Sequence, residues 1–487
     1  MDRVKNEEHS VQTLLRGVGY VVSILHDERM IYPTLNETDN SLMGISNPIS
    51  QKMRELLSQC QKGQKDKSLF LEKCIKPGMK VFILCNFVYH RRVKEREVDF
   101  LGKCTHGSVV AAIAETCLEL VGNNGRVSFG NAPLQSCDFS SVLRDTASDV
   151  ILKQAKTKRL NIESRDLRSY IVRQTKLGNL VVINNYREKN DQIVEVDLGK
   201  SSLLNDVMPN HDGVPKFRIA DYNPAYTETY HNINSHKYLI HKDILEADVI
   251  INVAKMKTHE KVGVTLGTKG YVGAIASKEC LAHHRFGPPS LGGDEYPAYN
   301  YFNVLGSKFN EFVFRQNYPP KLSRILQMID RNYKKLLGLA GKVVDGAWFG
   351  NDTAWRMAID VARICHYADK DGKLNREKQR ENLLVIDGII GGEGNGPLSV
   401  RGVNSGVLLF SNNIAAGDKI ACRLMGYDYN KIPITREPFG QMEFPIGNNH
   451  APTEIVYNGE KVSEGELRPV LGRPFVPPKH WPISLLL

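Results

Sequence analysis

The sequence predicts an α/β protein with two lobes, each a mainly parallel sheet flanked by helices, and a site in the interlobe cleft. Three observations lead to this fold class. Nearly continuous apolar runs at Lys80 to Val88 and Gly125 to Gly130 are typical of buried strands. Between them, Thr105 to Val121 has helical spacing and ends at Gly122. A second region of the same kind follows in the C-terminal half, and clefts between lobes favour ligand sites.

The remaining elements of the N-terminal half follow from the same patterns. Ile49 to Gln61 carries apolar residues at helical spacing after an Asn-Pro pair. Leu180 to Asn184 and Ile193 to Leu198 are predicted strands. Tyr238 to Val253 is predicted to lead through a short helix into a buried strand.

In the C-terminal half, Asn382 to Ile390 is a predicted strand that ends in a glycine loop, Gly391 to Pro397. Gly406 to Ser411 is a further strand, and Ile414 to Met425 is a helix stopped by Gly426. Strand, loop, strand and helix in this order indicate a second α/β lobe.

At 487 residues the chain is too long for one ordinary core. We divide it into an N-terminal helical or extended segment (1–70), a first α/β lobe (71–295), a second (296–460) and an extended tail over the surface (461–487). Tyr296 to Gly341 is predicted to be a basic helical bridge between the lobes.

Composition limits the class of protein. With 41% hydrophobic and 24% charged residues the chain is typical of globular proteins. No apolar run approaches the roughly 18 residues that cross a bilayer, and the polar N-terminus lacks the apolar core of a signal peptide. We therefore expect a cytoplasmic protein with no membrane partner.

The charge distribution and the cysteine spacing limit the partners and cofactors that we expect. The net charge of +10 is dispersed, and no basic run is interleaved with aromatic residues, so we expect no nucleic-acid partner. The nine cysteines are scattered without a CxxC pair. They contain no iron-sulfur cluster motif, and reduced thiols in the core are expected. A homo-oligomer is compatible with the sequence.

One segment concentrates side chains that carry chemistry. The predicted buried strand Val249 to Val253 runs directly into cationic and metal-capable residues. They are Lys255, Lys257, His259, Lys261, Lys269, His283, His284 and Arg285. Because clustered like charges repel, a fold gains little from them, whereas a site for a small anion, a metal or a lysine-attached cofactor uses them all.

Separate roles follow from residue type. Lys269, partly desolvated, is suited to nucleophilic attack or to attachment of a cofactor. His283 and His284 are candidate ligands for nickel, zinc or iron. Four glycines in this segment would let the backbone approach a ligand closely; they are Gly263, Gly267, Gly270 and Gly273. The alternative is that His259 ends a strand and the others are solvated.

Two further segments are candidates for substrate binding. In the glycine loop, Glu393 and Asn395 follow a strand, where backbone amides hold anions; a surface turn is the alternative. Thr105 and His106 precede the helix that ends at Val121. Thr105 or Ser108 is the expected N-cap, and His106, with no obvious capping role, is the stronger site candidate.

Trp355 and Arg356 are a third pair of substrate-binding candidates. They stand near the start of a predicted helix, behind Asn351 and Asp352. A group of this composition is unusual on a surface helix. The alternative is that Asp352 or Thr353 simply caps the helix.

Four segments together resemble the domain of unknown function 362 family over roughly residues 75 to 440. They read NVAKMKTHEKVGVTLGTKGYVGA, LAHHRFGPPSLGGDEYP, GNDTAWRMAID and DGIIGGEGNGP. Some members of that family carry ferredoxin-type clusters, for which this chain has no cysteine motif. The first two segments also resemble, over short motifs, the nickel-pincer lactate racemase family. That resemblance implies that Lys269 bears a cofactor, that His283 or His284 binds the metal, and that Thr105 and His106 contact substrate.

The candidate site residues and the family resemblances together lead to one expected function and two alternatives. The first is an isomerase, epimerase or racemase-like enzyme, or an oxidoreductase, acting on a small anionic substrate. In it His259 and His106 are acid and base, and the anion is held by Lys255, Lys257 and Arg356. The alternatives are a phosphate- or metal-dependent transferase or ligase, and a non-catalytic binding protein of the same fold.

Overall fold

The computed structural model describes residues 19–33, 47–60, 70–174, 180–185, 191–208, 216–316 and 318–487. The strands are β1 Tyr20–His26, β2 Lys80–Cys85, β3 Arg126–Asn131, β4 Ile162–Asp166, β5 Tyr170–Gln174, β6 Leu180–Asn185, β7 Ile193–Asp197, β8 Phe217–Arg218, β9 His231–Asn232, β10 Ser235–His241, β11 Val249–His259, β12 Gly263–Val264, β13 His284–Arg285, β14 Glu381–Asn395, β15 Ser399–Ser411, β16 Thr453–Tyr457 and β17 Glu460–Val462. The helices are α1 Pro48–Gln59, α2 Phe70–Cys74, α3 Glu97–Lys103, α4 Gly107–Val121, α5 Phe139–Asp145, α6 Asp149–Lys158, α7 Pro224–Tyr230, α8 Lys242–Leu245, α9 Leu266–Gly270, α10 Tyr301–Arg315, α11 Pro320–Leu339, α12 Ala354–Tyr367, α13 Ile414–Leu424 and α14 Pro433–Arg436.

A large mixed sheet organises the chain. Its strand order is β17-β16-β1-β15-β14-β11-β2-β3-β4, and β12 pairs with the end of β11. Five neighbouring strands, from β14 to β4, are parallel. The predicted α/β class with a mainly parallel sheet is therefore confirmed. The division into two lobes is not, because β11 and β14, which come from the two predicted lobes, pair side by side.

The central strands are buried on both faces, as their apolar runs predict. On one face α4 packs over β2 and β3, where Val110 and Ile113 join Ile83 and Ile251 in one core. On the other face Ile250 lies in a second core that includes the apolar side of α12. All nine cysteines are buried and free, as expected.

The predicted glycine loop at Gly391 to Pro397 is wrong, because β14 continues to Asn395 and forms a long hairpin with β15. These glycines let backbones approach one another. A Cβ at Gly392 would lie 2.5 Å from the carbonyl oxygen of Gly102 in α3. The glycines therefore serve packing of α3 onto the hairpin, and the segment offers no phosphate-binding loop.

The predicted surface tail is also wrong in part. Residues 461–487 have little regular structure, but Phe475, Trp481 and Leu485 are buried in the core that contains α12 and α13. Proline content correctly indicated an extended chain. It did not show that single aromatic and aliphatic side chains anchor that chain inside.

In the part of the chain that the structure describes, no single helix is long and apolar enough to cross a membrane. The bent pair α3 and α4 reaches that length and hydropathy only when taken together.

Candidate functional site

A cavity of about 370 Å³ opens at the carboxyl ends of the parallel strands. Its walls come from the residues that follow β2 and β3, the end of β11, α9 and the segment before β13. Among the lining residues are Asn86, Asn131, Gln135, Lys257, His259, Lys261, Thr265, Lys269, Lys278 and His283. Ligand sites of open α/β sheets lie at this edge, because successive parallel strands deliver their ends to one place.

Strand β11 places Lys257 and His259 on the same face, two residues apart. The Lys257 ammonium donates to Asn86 Oδ1 at 2.8 Å and to the Lys103 carbonyl at 2.5 Å. No carboxylate pairs with it among the described residues, and burial lowers its pKa to about 7. Strand β11 is longer than the predicted apolar strand Val249 to Val253. Its cationic residues therefore lie within the strand and are buried in the core.

Lys269 lies on the short helix α9, which α13 holds in place. The Asp418 carboxylate accepts hydrogen bonds from the amides of Gly267 (2.6 Å) and Thr268 (2.7 Å). Lys269 itself donates to no residue that the structure describes, although it is only 9% exposed. Burial, and then the charge of Lys261, lowers its pKa to about 8. An unpaired ammonium at this depth is available for a ligand.

Asp418→Asn is expected to destabilise the protein. Asparagine keeps one acceptor oxygen and turns its NH2 group toward a backbone amide, so one of the two hydrogen bonds is lost and its buried donor is unpaired. A loss of about 1 to 3 kcal/mol in the free energy of unfolding is expected, measured by urea denaturation. Asp371→Asn, at an exposed side chain, is the control. Equal stability of both variants and the wild type would contradict this role of Asp418.

Lys278 is a third buried lysine of the cavity, which the sequence reading did not single out. Its ammonium donates to the Ala132 carbonyl at 2.7 Å, and burial lowers its pKa to about 7. The signal that could have found it is the pair Lys278-Glu279 inside the mostly apolar stretch from Tyr271 to Ala282. Lys257, Lys269 and Lys278 thus converge on one cavity from three elements.

The two cavity histidines have opposite tautomers. Burial lowers the pKa of both well below the usual value, so both imidazoles are neutral. His259 Nδ1 accepts from the Lys261 amide at 3.1 Å, which assigns the proton to Nε2. His283 Nδ1 donates to the Leu281 carbonyl at 3.0 Å, which leaves a lone pair on Nε2. One ring can therefore donate a hydrogen bond and the other can accept a proton.

Neutral polar groups in the wall also lack partners. Both amide atoms of Gln135, Asn131 Oδ1 and Thr265 Oγ1 are buried and make no hydrogen bond with any described residue. Buried polar atoms without partners are costly, and a bound ligand would satisfy them. Sequence reasoning missed these residues because Asn, Gln and Thr carry no distinctive pattern.

The predicted site residues Lys255, Thr105 and His106 lie outside the cavity lining. The Lys255 ammonium is 3.0 Å from the Asp387 carboxylate and donates to Tyr32 Oη at 2.6 Å. The amide of His106 donates to the same carboxylate, and Thr105 Oγ1 donates to the Val253 carbonyl. This group holds β11, β14 and the start of α4 together.

His106 is the N-cap of α4, with its Nδ1 accepting from the Ser108 amide at 3.2 Å. The expected cap at Thr105 or Ser108 is therefore wrong. Imidazole can accept from a backbone amide as a carboxylate does, so His106 has a capping role that is not obvious from the sequence. Burial lowers its pKa to about 3.

Glu393 and Asn395 also lie outside the cavity lining. The Glu393 carboxylate accepts from the Arg473 guanidinium at 2.8 Å and pairs with Arg401. Asn395 Oδ1 accepts from the Lys479 amide at 2.8 Å. Both side chains hold the C-terminal segment against the β14–β15 hairpin.

Trp355 and Arg356 are held by neighbours at the start of α12, away from the cavity. Trp355 Nε1 donates to Asp352 at 3.0 Å, and the Arg356 guanidinium lies 4.3 Å from the Trp355 ring centroid. Arg356 pairs with Asp206 at 2.7 Å. The helix begins after Thr353, whose side chain makes no cap; Asn351 Oδ1 instead accepts from the first amides.

Two of the four glycines that were predicted to approach a ligand lie at the cavity, and the other two do not. Gly270 and Gly273 line the cavity. At Gly267, a Cβ would lie 2.9 Å from Asp418 Oδ1, so this glycine allows α9 to approach α13. Gly263 has a left-handed backbone with φ of 85°, which turns the chain between β11 and α9.

Residues 211–423 match the family described as Domain of unknown function (DUF362). The resemblance inferred from sequence motifs is confirmed over this span, which contains every lysine and histidine of the cavity. Asn86, Asn131 and Gln135 lie before the matched segment. No curated protein and no solved structure matches the chain.

Proposed function

We propose, taking the match to a family of unassigned activity as the premise, that this chain is an enzyme that moves a proton on a small carboxylate substrate. The reaction class is isomerisation, epimerisation or racemisation next to the carboxylate. The observation that carries the proposal is the combination in one cavity of three buried lysines without carboxylate partners and two neutral histidines of opposite tautomer.

The lysines support an anionic substrate. Lys257, Lys269 and Lys278 form no ion pair within the described residues, so an entering carboxylate supplies their missing counter-charge. Of the acidic side chains in the lining, Asp221 already pairs with Lys334, and burial raises the pKa of Glu260. The cavity of about 370 Å³ is large enough for a small carboxylate and leaves room for water or for further substituents of the substrate.

The histidines support proton movement. His283 Nε2 accepts the proton from the carbon next to the carboxylate, and the electrons of the C–H bond move into the carboxylate to form an enediolate. His259 Nε2–H and the lysine ammonium groups donate to the oxygen atoms on which this charge develops. His283 can return this proton to the same face of the carbon. Alternatively, the Lys269 ammonium gives a proton to the opposite face, after which His283 loses its proton to solvent and Lys269 regains one from solvent.

Solvent-deuterium exchange tests this reaction. A panel of 2-hydroxy and 2-amino carboxylates is incubated with the protein in D2O and followed by proton NMR. Loss of the signal of the hydrogen on the carbon next to the carboxylate is expected for at least one compound. His283→Gln abolishes the exchange, and His450→Gln, at an exposed histidine, leaves it unchanged. Absence of exchange across the panel would favour the non-catalytic alternative.

A lysine-attached cofactor is the second candidate, because Lys269 fits the chemistry of attachment. Its amine has no partner among the described residues, and burial lowers its pKa to about 8, which increases the fraction of nucleophilic amine. An intact mass above that of the chain, absent in Lys269→Arg, would support a covalent group. A mass equal to that of the chain would contradict it.

Binding of an anion is expected to weaken as pH rises. Oxalate, a planar dianion that resembles an enediolate, serves as the probe. Burial lowers the pKa of Lys257 and of Lys278 to about 7 and that of Lys269 to about 8, so these groups are charged below pH 7 and lose protons above it. Affinity should fall as pH rises from 6 to 9, and binding above pH 7 should take up protons.

Isothermal titration at each pH, in two buffers of different ionisation enthalpy, measures both quantities. Constant affinity across this range, or binding without proton uptake, would contradict the charge states assigned to the three lysines.

A further inference from the structure

A second group of ligating side chains lies behind the wall of the cavity. His284, Glu295 and Asp345 each offer a nitrogen or oxygen atom, and these atoms lie within 4.8 Å of one another. His283 and His284 are adjacent in sequence, but only His283 lines the cavity. The predicted metal pair is therefore divided between two places in the structure.

The imidazole of His284 has a buried nitrogen, Nδ1, that lacks a hydrogen-bond partner among the described residues. The residue as a whole is 3% exposed. In a neutral imidazole each nitrogen is either an N–H donor or a lone-pair acceptor, so the buried Nδ1 leaves one hydrogen-bonding group unsatisfied. Glu295 is anchored by donors from Ser307 Oγ (2.6 Å) and the Gly287 amide (3.0 Å), as carboxylate ligands of metals usually are.

The surroundings of this group carry excess negative charge. Three aspartates lie 3.0 to 3.6 Å from the Lys334 ammonium; they are Asp221, Asp330 and Asp345. These carboxylates raise the pKa of Lys334 although burial opposes its charge. The Lys261 ammonium also contacts this group, through the Asp345 carbonyl. When all four carboxyl groups are ionised, the two lysines leave two negative charges uncompensated. Burial raises the pKa of Glu295 to about 7, and a bound cation would favour its ionised form.

We infer that His284, Glu295 and Asp345 bind one divalent transition-metal ion, of the zinc or manganese class. An imidazole nitrogen with two carboxylates is a donor set that such ions accept, and a divalent cation compensates the two negative charges. The ion lies beside the cavity and not inside it. Asp345 bonds to Lys261 through its carbonyl, so the ion fixes the segment that carries Lys261 and His283.

Binding of Mn²⁺ to chelator-treated protein, followed by electron paramagnetic resonance, tests the site. One equivalent is expected to bind, with nitrogen coupling from a single imidazole. Glu295→Gln and His284→Asn each weaken binding at least about 10-fold, and His284→Asn removes the coupling. Circular dichroism confirms that the variants fold.

His283→Gln is the discriminating control, because His283 lies next to His284 but faces the cavity. Unchanged Mn²⁺ affinity in this variant supports the proposed site. Loss of binding in His283→Gln, equal binding in all variants, or no stoichiometric binding of Mn²⁺ or Zn²⁺ would overturn it. None of these results depends on catalytic activity, so the site and the proposed function fail separately.

A different observation concerns α10 and α11, which pack against each other with apolar side chains turned outward. On α11 the exposed apolar residues recur at helical spacing; they are Leu322, Ile325, Met328, Ile329, Leu336 and Leu339. Leu339 is 76% exposed, whereas Asp330 on the opposite side is buried. On α10 the exposed residues are Tyr301, Phe302, Leu305 and Phe312. We call these ten residues the hairpin face.

Among the described residues, the exposed charged side chains on α10 and α11 are positive. The exposed lysines on or beside the two helices are Lys308, Lys321, Lys335 and Lys342. The two acidic residues of these helices are turned inward, Glu311 to Arg218 and Asp330 to Asn310. An amphipathic helical surface with lysines beside its apolar residues is typical of proteins that lie on anionic membranes.

We propose that the hairpin face binds the surface of an anionic lipid membrane. A second copy of the chain would bring the same lysines together, and their repulsion disfavours that occupant. The sequence predicts no membrane partner, because no apolar run has transmembrane length. That criterion does not address a helix that lies on the membrane surface.

Sedimentation with vesicles tests this surface. Vesicles of phosphatidylcholine with about one third phosphatidylglycerol are expected to bind the protein, and pure phosphatidylcholine to bind it far less. Leu336→Ser/Leu339→Ser and Lys321→Glu/Lys335→Glu each reduce binding at least about 10-fold. Ile483→Ser, also at an exposed apolar residue, leaves it unchanged. No binding to anionic vesicles would overturn the proposal, as would a dimer in solution that Leu336→Ser/Leu339→Ser dissociates.

Discussion

Lys269→Met is expected to lower the affinity of the cavity for oxalate at pH 6 at least about 30-fold, because one charged hydrogen bond in a buried site contributes about 2 kcal/mol or more. Methionine keeps most of the side-chain volume and removes the charge. Lys269 is the most informative of the three cavity lysines, because its ammonium donates to no described residue. Its replacement therefore breaks no hydrogen bond or ion pair with any described residue.

The same substitution is not expected to destabilise the fold. An unpaired buried ammonium costs desolvation without a compensating contact, so Lys269→Met should unfold at the same or a higher urea concentration than the wild type. Isothermal titration and urea denaturation measure the two effects, with Lys370→Met, at an exposed lysine, as the matched control. Unchanged oxalate affinity, or a large loss of stability, would show that Lys269 is a structural residue.

Asp387→Asn, in contrast to Lys269→Met, is expected to destabilise the fold. The carboxylate and Lys255 are completely buried, 3.0 Å apart, and removal of one charge leaves the other without compensation. Tyr32 and the His106 amide, which donate to the same carboxylate, keep only part of their hydrogen bonding. The free energy of unfolding should fall by about 3 to 5 kcal/mol, as when other buried pairs are broken.

The double variant Lys255→Met/Asp387→Asn is the control for this prediction. It removes both charges and should recover part of the lost stability, because no ion remains uncompensated. Urea denaturation of the single and double variants measures the coupling. Additive losses would show that the two side chains contribute independently and do not form a structural pair.

The contrast between Lys255 and Lys269 shows the limit of sequence reading. Both lysines follow the same apolar strand, and the sequence placed both in a site. The structure separates them by their partners: Lys255 faces Asp387, which lies on β14 far along the chain, and Lys269 faces the cavity. Which carboxylate meets which lysine depends on the pairing of β11 with β14, and local sequence does not encode that pairing.

The positions of strands and helices were easier to predict from the sequence than the partners of individual side chains. The apolar runs at β2, β3 and β11 and the periodicity of α4 and α13 are local signals. The structure confirms these elements within a few residues, except that β11 extends past the predicted Val253 to His259. Glycine was harder to interpret. The same residue that permits a loop also permits close packing, and at Gly392 the neighbouring α3 decides between them. His106 was misassigned for a similar reason, because its capping bond depends on the exact start of α4.

The most direct test of the account is a crystal structure of the chain with oxalate. We expect oxalate in the cavity, with one carboxylate oxygen about 3 Å from Lys269 Nζ and a second accepting from His259 Nε2. His283 Nε2 should face the bond between the two carboxylate carbons. A cavity that contains only water at saturating oxalate, or oxalate bound away from Lys269, would contradict the claim that the unpaired lysines and the two histidines form the active site.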